Sequence, residues 1–159
     1  MATVFGGLKK LAVVWVALAS INNAVAANWV YLAKTSDGSF KDYIDVESVK
    51  KLSASSSYPY SYLSASNSGQ IVSFFVKMDY AKAQKTADGK FYNYIVSQQK
   101  GDCATNKIST QGAIFYTKGG SVVYSFRNSY DDWQTVYPDT LGESELNVAC
   151  IVAGYRSTP

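Results

Sequence analysis

The side chains that carry most protein chemistry are thinly represented in this sequence. There is no His, which removes the commonest general base and metal ligand. The two cysteines, Cys103 and Cys150, cannot complete a four-ligand zinc site, so no metal and no cofactor is expected. They form no Cys-x-x-Cys motif, so a structural bridge is favoured over a reactive thiol pair. Asp131 and Asp132 are adjacent, and in an extended segment their side chains diverge, whereas a general acid and base must converge on a substrate. The same pair lacks the alternating oxygen ligands of a calcium loop. Lys118-Gly119-Gly120-Ser121 has the residues of a phosphate loop without their order, and reads as a hairpin turn. Gly-x-Ser-x-Gly is absent, and a serine nucleophile without His would need a Lys base in supporting context. A haem would have to use Tyr or Met as its ligand, and the 13 Tyr fit strand packing better. The expectation is a protein that is not an enzyme.

The elements that hold these residues show in the hydrophobic pattern. Val72, Phe74, Val76, Met78 and Tyr80 alternate with Ser73, Lys77 and Asp79, the period of a half-buried strand. Trp29–Lys34, Phe40–Asp45, Phe91–Gln99, Ile108–Thr117 and Val122–Arg127 have strand composition. Asp37-Gly38, Asp88-Gly89 and Gly119-Gly120 between them suit hairpin turns that need positive φ. A short turn is expected at residues 45–51. The C-terminal segment opens with a capping box, Thr140-Leu141-Gly142-Glu143, and Gly154 can end the helix. Along that helix Leu141, Glu145, Val148 and Val152 form one row, and Leu146, Ala149, Cys150 and Ala153 another. The predicted fold is α+β: an antiparallel meander of about six strands with one C-terminal helix on a face.

Composition agrees with a folded domain. The chain of 159 residues is 47% hydrophobic and 14% aromatic, too apolar for disorder although only 17% is charged. Lys9 and Lys10, the apolar run Leu11–Leu18 and the exit Ala24-Val25-Ala26 make residues 1–26 a secretory signal peptide. The run is too short to span a bilayer, which needs about 20 apolar residues, so no transmembrane segment is expected. No Cys lies at the cleavage point to carry a lipid. Two of the 15 basic residues lie in the leader, so residues 27–159 are nearly neutral against 12 acids, without the basic footprint of a nucleic-acid binder. Export makes a Cys103–Cys150 disulfide the simplest reading, stabilising by about 4 kcal/mol on the chain-entropy model.

Residues 53–68 break the pattern, with Ser at half of the positions and Tyr58, Pro59, Tyr60 and Tyr62 in the middle. They read either as a solvated loop or as a protruding hairpin whose Tyr58, Tyr60 and Tyr62 form a protein-contact face.

Several separated pieces fall into one known order. Ala27-Asn28-Trp29-Val30, Asp37-Gly38 and Tyr43-Ile44-Asp45-Val46-Glu47-Ser48-Val49 open it. Met78-Asp79-Tyr80 with Gln84, Asp102-Cys103, Trp133, Val136, Pro138, Gly142 and Cys150 complete it. Over residues 28–150 the chain resembles the bacterial surface-adhesin protein E family, with residues 53–68 as an insertion. The resemblance implies a sheet pinned to a terminal helix through the disulfide. It also implies a non-catalytic role in contacting host extracellular-matrix or envelope proteins. Without a lipid-bearing Cys, a periplasmic or secreted form is expected ahead of an outer-membrane anchor. A periplasmic small-ligand carrier, with a pocket between sheet and helix, is the rival reading.

Overall fold

In the computed structural model, which describes residues 27–52 and 69–158, the alternating segment becomes the middle of a long strand. Val72, Phe74 and Val76 are almost completely buried, and Phe75 between them stays exposed. The sheet runs in chain order: β1 Trp29–Lys34, β2 Phe40–Leu52, β3 Ile71–Lys85, β4 Phe91–Asp102, β5 Lys107–Tyr116 and β6 Val122–Arg127. Every neighbouring pair is antiparallel, so the meander of six strands is as expected. A short β7, Gln134–Thr135, was not legible in the sequence and pairs with β5 beside Lys107 and Ile108. Gly38, Gly89 and Gly120 have φ of 69°, 89° and 84°, so the three turn pairs meet their need for positive φ with glycine.

The turn expected at residues 45–51 is instead a bulge within β2, which runs on to Leu52. Side chains replace the broken ladder. Ser48 Oγ donates to the Asp45 carbonyl at 2.6 Å and accepts the Phe75 N–H at 2.9 Å. Asp45 Oδ1 accepts the N–H groups of Asn28 and Glu47. Beyond the bulge, β2 pairs again with β3, from Lys50 with Ser73 to Leu52 with Ile71.

The helix α1, Leu141–Val152, begins at Thr140, whose hydroxyl accepts the Glu143 N–H. Glu143 reaches one residue further back than a simple capping box requires and accepts from the Asp139 N–H at 2.8 Å. Gly154, at φ 70°, ends the helix: its N–H bonds the Ile151 carbonyl and the Tyr155 N–H bonds that of Cys150, a Schellman closure. The helix rests on β1 to β4. Leu146, Ala149 and Cys150 meet Ile44, Val72, Phe74 and Val76 in the core. Gly101 on β4 makes room for Leu146, since a Cβ there would overlap Leu146 Cδ1. Of the other helical row, Glu145 is buried, whereas Val152 is 49% exposed.

The disulfide joins Cys103, just after β4, to Cys150 on the helix, across a Cα separation of 5.7 Å. Its corner is organised by polar groups. Asp102 accepts from the backbone of Ala104 and Thr105 and from the Thr105 hydroxyl. Arg156, beyond the helix, donates to the Cys103 carbonyl at 2.8 Å and to the side chains of Asn106 and Asn147. Among the described residues no helix is long and apolar enough to cross a membrane. The leader and the Ser/Tyr-rich stretch lie outside the described residues.

Candidate functional site

Residues directly opposite on paired strands share a face of the sheet, so the register assigns each side chain to one side. On the helix-bearing side, the aromatic pairs Phe40 with Tyr80 and Phe115 with Tyr124 stand next to one another. With Tyr92 and Phe126 they form a ladder across β2 to β6. Ring centroids are 5.5 Å apart for Phe40–Tyr80, 5.7 Å for Tyr80–Tyr92 and 4.9 Å for Tyr92–Phe115. Phe115 then meets Tyr124 at 5.4 Å and Phe126 at 6.4 Å. These edge-on and tilted contacts are the favourable arrangement for aromatic rings. Because α1 packs chiefly on β1 to β4, the β6 end is open: Tyr124 is 49% and Phe126 38% exposed. The alternation of β3 placed Tyr80 on this face, but the continuation through Tyr92, Phe115, Tyr124 and Phe126 depends on strand pairing.

The opposite, helix-free side is basic and aromatic. Lys77 lies between two rings, its Nζ 5.0 Å from the Trp29 centroid and 4.6 Å from that of Tyr43. Tyr94 and Tyr116 stack 4.8 Å apart, nearly parallel. The register shift between Asp79 and Gln84 brings Asn93 to this side with Tyr94. Trp29, Lys77, Asn93, Tyr94 and Tyr116, together with Asp79 and Lys118, line an open cleft of about 560 Å³. A smaller hollow of about 280 Å³ lies beside the β2 bulge, against Asp45, Ser48 and Phe75. Neither cavity has a helix residue in its wall, and the sheet–helix interface, where the rival reading put its pocket, is filled by the core.

Beneath the helix is a carboxyl pair that inspection of the sequence missed. Asp42 on β2 is fully buried, and Glu145 on α1 stands against it. The backbone N–H of Tyr43 lies near the Asp42 carboxyl without forming a well-aligned hydrogen bond, and no other backbone, amide or hydroxyl donor reaches it. Burial pushes the Asp42 carboxyl up to about 6, a rise partly offset by the hydrogen bond from Glu145 and by the Tyr43 backbone N–H. Glu145 is raised well above the usual glutamate range, first by burial and then by the charge of Asp42. Both carboxyls are thus displaced toward their protonated forms, and they titrate as a pair. It lines neither cavity and is a structural clamp between helix and sheet. The signal for it was Glu145 within the apolar helical row.

Asp131 and Asp132 do diverge. Asp131 pairs with Lys100 at 2.8 Å and accepts from Gln111, while Asp132 lies near Gln134. Among the described residues no group of three or more Cys, Asp or Glu is placed to hold a metal ion. Cys103 and Cys150 are joined as expected. Tyr58, Tyr60 and Tyr62 lie outside the described residues.

Comparison with solved structures finds Haemophilus influenzae protein E, with a TM-score of 0.52 and 16% identity over 80% of this chain and 89% of that one. A second crystal form of the same protein gives a TM-score of 0.48 and 17% identity over 79% and 88%. At these identities the likeness is one of fold. No curated protein matches. The model of the family described as surface-adhesin protein E matches residues 29–151, from the first residue of β1 to the last turn of α1. Since that model spans most of the chain, the chain belongs to the surface-adhesin protein E family.

Proposed function

We propose that the chain is an exported, non-catalytic binding module that contacts proteins or extracellular matrix at the cell envelope, with host matrix or envelope proteins as its partners. Family membership supports a surface-adhesin-like binding protein. The observation that carries the reading is the aromatic ladder on the helix-bearing face. Rings that continue the core's own face beyond the helix, and end exposed at Tyr124 and Phe126, form a rigid apolar surface of the kind enriched in protein interfaces. Tyr58, Tyr60 and Tyr62, in the connection between β2 and β3, are proposed as a second contact element. Release as a periplasmic or secreted protein agrees with the absence of a lipid-bearing Cys near the leader.

The test is binding to matrix-coated surfaces and to envelope extract, with the variant Tyr124→Ser/Phe126→Ser beside a Tyr58→Ser/Tyr60→Ser/Tyr62→Ser variant. Loss of contact rings should weaken binding about tenfold or more in variants that circular dichroism shows to be folded at the assay temperature. Unchanged binding in one variant removes that element from the contact surface, and unchanged binding in both removes the reading.

A further inference from the structure

The helix-free face is built for a different ligand, and its assignment does not rest on the protein-contact reading. We infer that the cleft bounded by Trp29, Lys77, Asp79, Tyr94, Tyr116 and Lys118 binds a carboxylated polysaccharide, a chain of uronic-acid sugars lying across the sheet.

Three observations lead there. The first is the charge of the face. Lys41 pairs with Asp79 and Lys34 with Lys41 in the strand register, so both basic side chains share the side that carries Lys77. The same register puts Lys50 opposite Ser73, and Arg127 opposite Gly112, on that side. Lys34, Lys50 and Arg127 are exposed and add to Lys77 and Lys118, whereas Lys100 is paired with Asp131 and Lys41 stands opposite Asp79. A set of like charges on one flat face attracts a polyanion over a distance and is weakened by salt.

The second is the cation at the cleft itself. The Lys77 ammonium rests on the rings of Trp29 and Tyr43, so its position is set before a ligand arrives. Lys118 stands at the rim, and its backbone N–H is tied to Asn93 Oδ1 at 2.9 Å. Two cations at separate points suit a ligand that presents an anionic group at intervals.

The third is the rest of the wall. The rings of Trp29, Tyr94 and Tyr116 offer apolar surface to the C–H faces of sugar rings, and the Asp79 carboxylate accepts hydrogen bonds from hydroxyls. A peptide strand would add to the edge of β1 or β6, where unpaired backbone groups lie, and not to the face. The volume of about 560 Å³ falls within the range of about 300–1,000 Å³ usual for ligand sites.

The test is calorimetric titration of the purified full chain with oligogalacturonate, its fully methyl-esterified form and a single-stranded oligothymidylate of similar length. Binding of the acid form, weakened at least tenfold by esterification and by raised salt, is expected. Lys77→Met, which keeps the aliphatic stem between the rings, and Lys118→Gln, at the exposed rim, should each weaken it several-fold with melting temperatures kept. Tyr124→Ser/Phe126→Ser, on the other face, should bind the sugar as the parent does, so loss of protein contact and loss of the sugar site are read separately. No binding at millimolar oligogalacturonate overturns the inference. Equal binding of the ester, tighter binding of the oligothymidylate, or indifference to both Lys variants overturns it as well.

Discussion

Replacing Glu145 by Gln should remove a fall in stability that the parent protein shows as pH rises. In the folded chain, burial and the Asp42 charge raise Glu145 well above 4.5, and Asp42 is pushed up to about 6. In the unfolded chain both carboxyls release their protons in the ordinary range, near 3.8 and 4.5. The native state therefore binds more protons above that range. Stability from the pair is fully present at low pH and is lost as pH climbs toward the folded values. Wherever the native state holds one extra proton, stability falls by about 1.4 kcal/mol per pH unit. In a domain of this size that is a fall in melting temperature of about 5 °C per pH unit. Asp37 and Asp88 shift the other way, through hydrogen bonds to Ser39 and Thr86, and act only at and below the ordinary Asp range. The Gln amide can donate to Asp42 at any pH and takes up no proton. Melting followed by circular dichroism at pH 5, 6, 7 and 8, at constant ionic strength, should show a parent that keeps falling above pH 6 and a Glu145→Gln whose remaining slope, that of buried Asp42, is confined to about pH 6 and below. The parent's slope above about pH 6 retained in Glu145→Gln would refute the assignment of that slope to Glu145.

Two further outcomes concern the scaffold. Reduction of Cys103–Cys150, or replacement of both residues by Ser, should cost about 4 kcal/mol by opening a long loop, measured by denaturant unfolding; intact mass after alkylation checks that both thiols are blocked in the oxidised protein. Gly101→Ala should destabilise by about 1–3 kcal/mol, because the methyl group overlaps Leu146 and moves the helix, whereas Gly119→Ala at an open turn should leave the melting temperature within about 2 °C.

The elements legible in the sequence were those whose signal is local. Alternation on β3, glycine at the hairpin turns and Thr140 before the helix each act within a few residues, and each held. The errors lie where distant partners decide. Residues 45–51 look like a turn because Asp45 and Ser48 favour one, but Ser48 accepts from Phe75 on the next strand and the segment stays in the sheet. β7 exists because Ile108 and Lys107 lie alongside it. The surfaces were less legible still: no spacing along the chain shows that Tyr92 touches Phe115, or that Lys77 sits between Trp29 and Tyr43. Glu145 looked like one polar residue in an apolar row until Asp42 appeared opposite.

The pairing of Leu52 with Ile71 has a consequence for how such a protein can diversify. The ladder holds the two ends of the β2–β3 connection together, so what lies between them starts and finishes at one fixed doorway. Doubling the length of such a connection costs only about 0.6 kcal/mol of closure entropy. The bulge bonds of Ser48 and the core around Val72 lie on the sheet side of that doorway. The β2–β3 connection is thus a position where mutation can change length and chemistry at little cost to the scaffold.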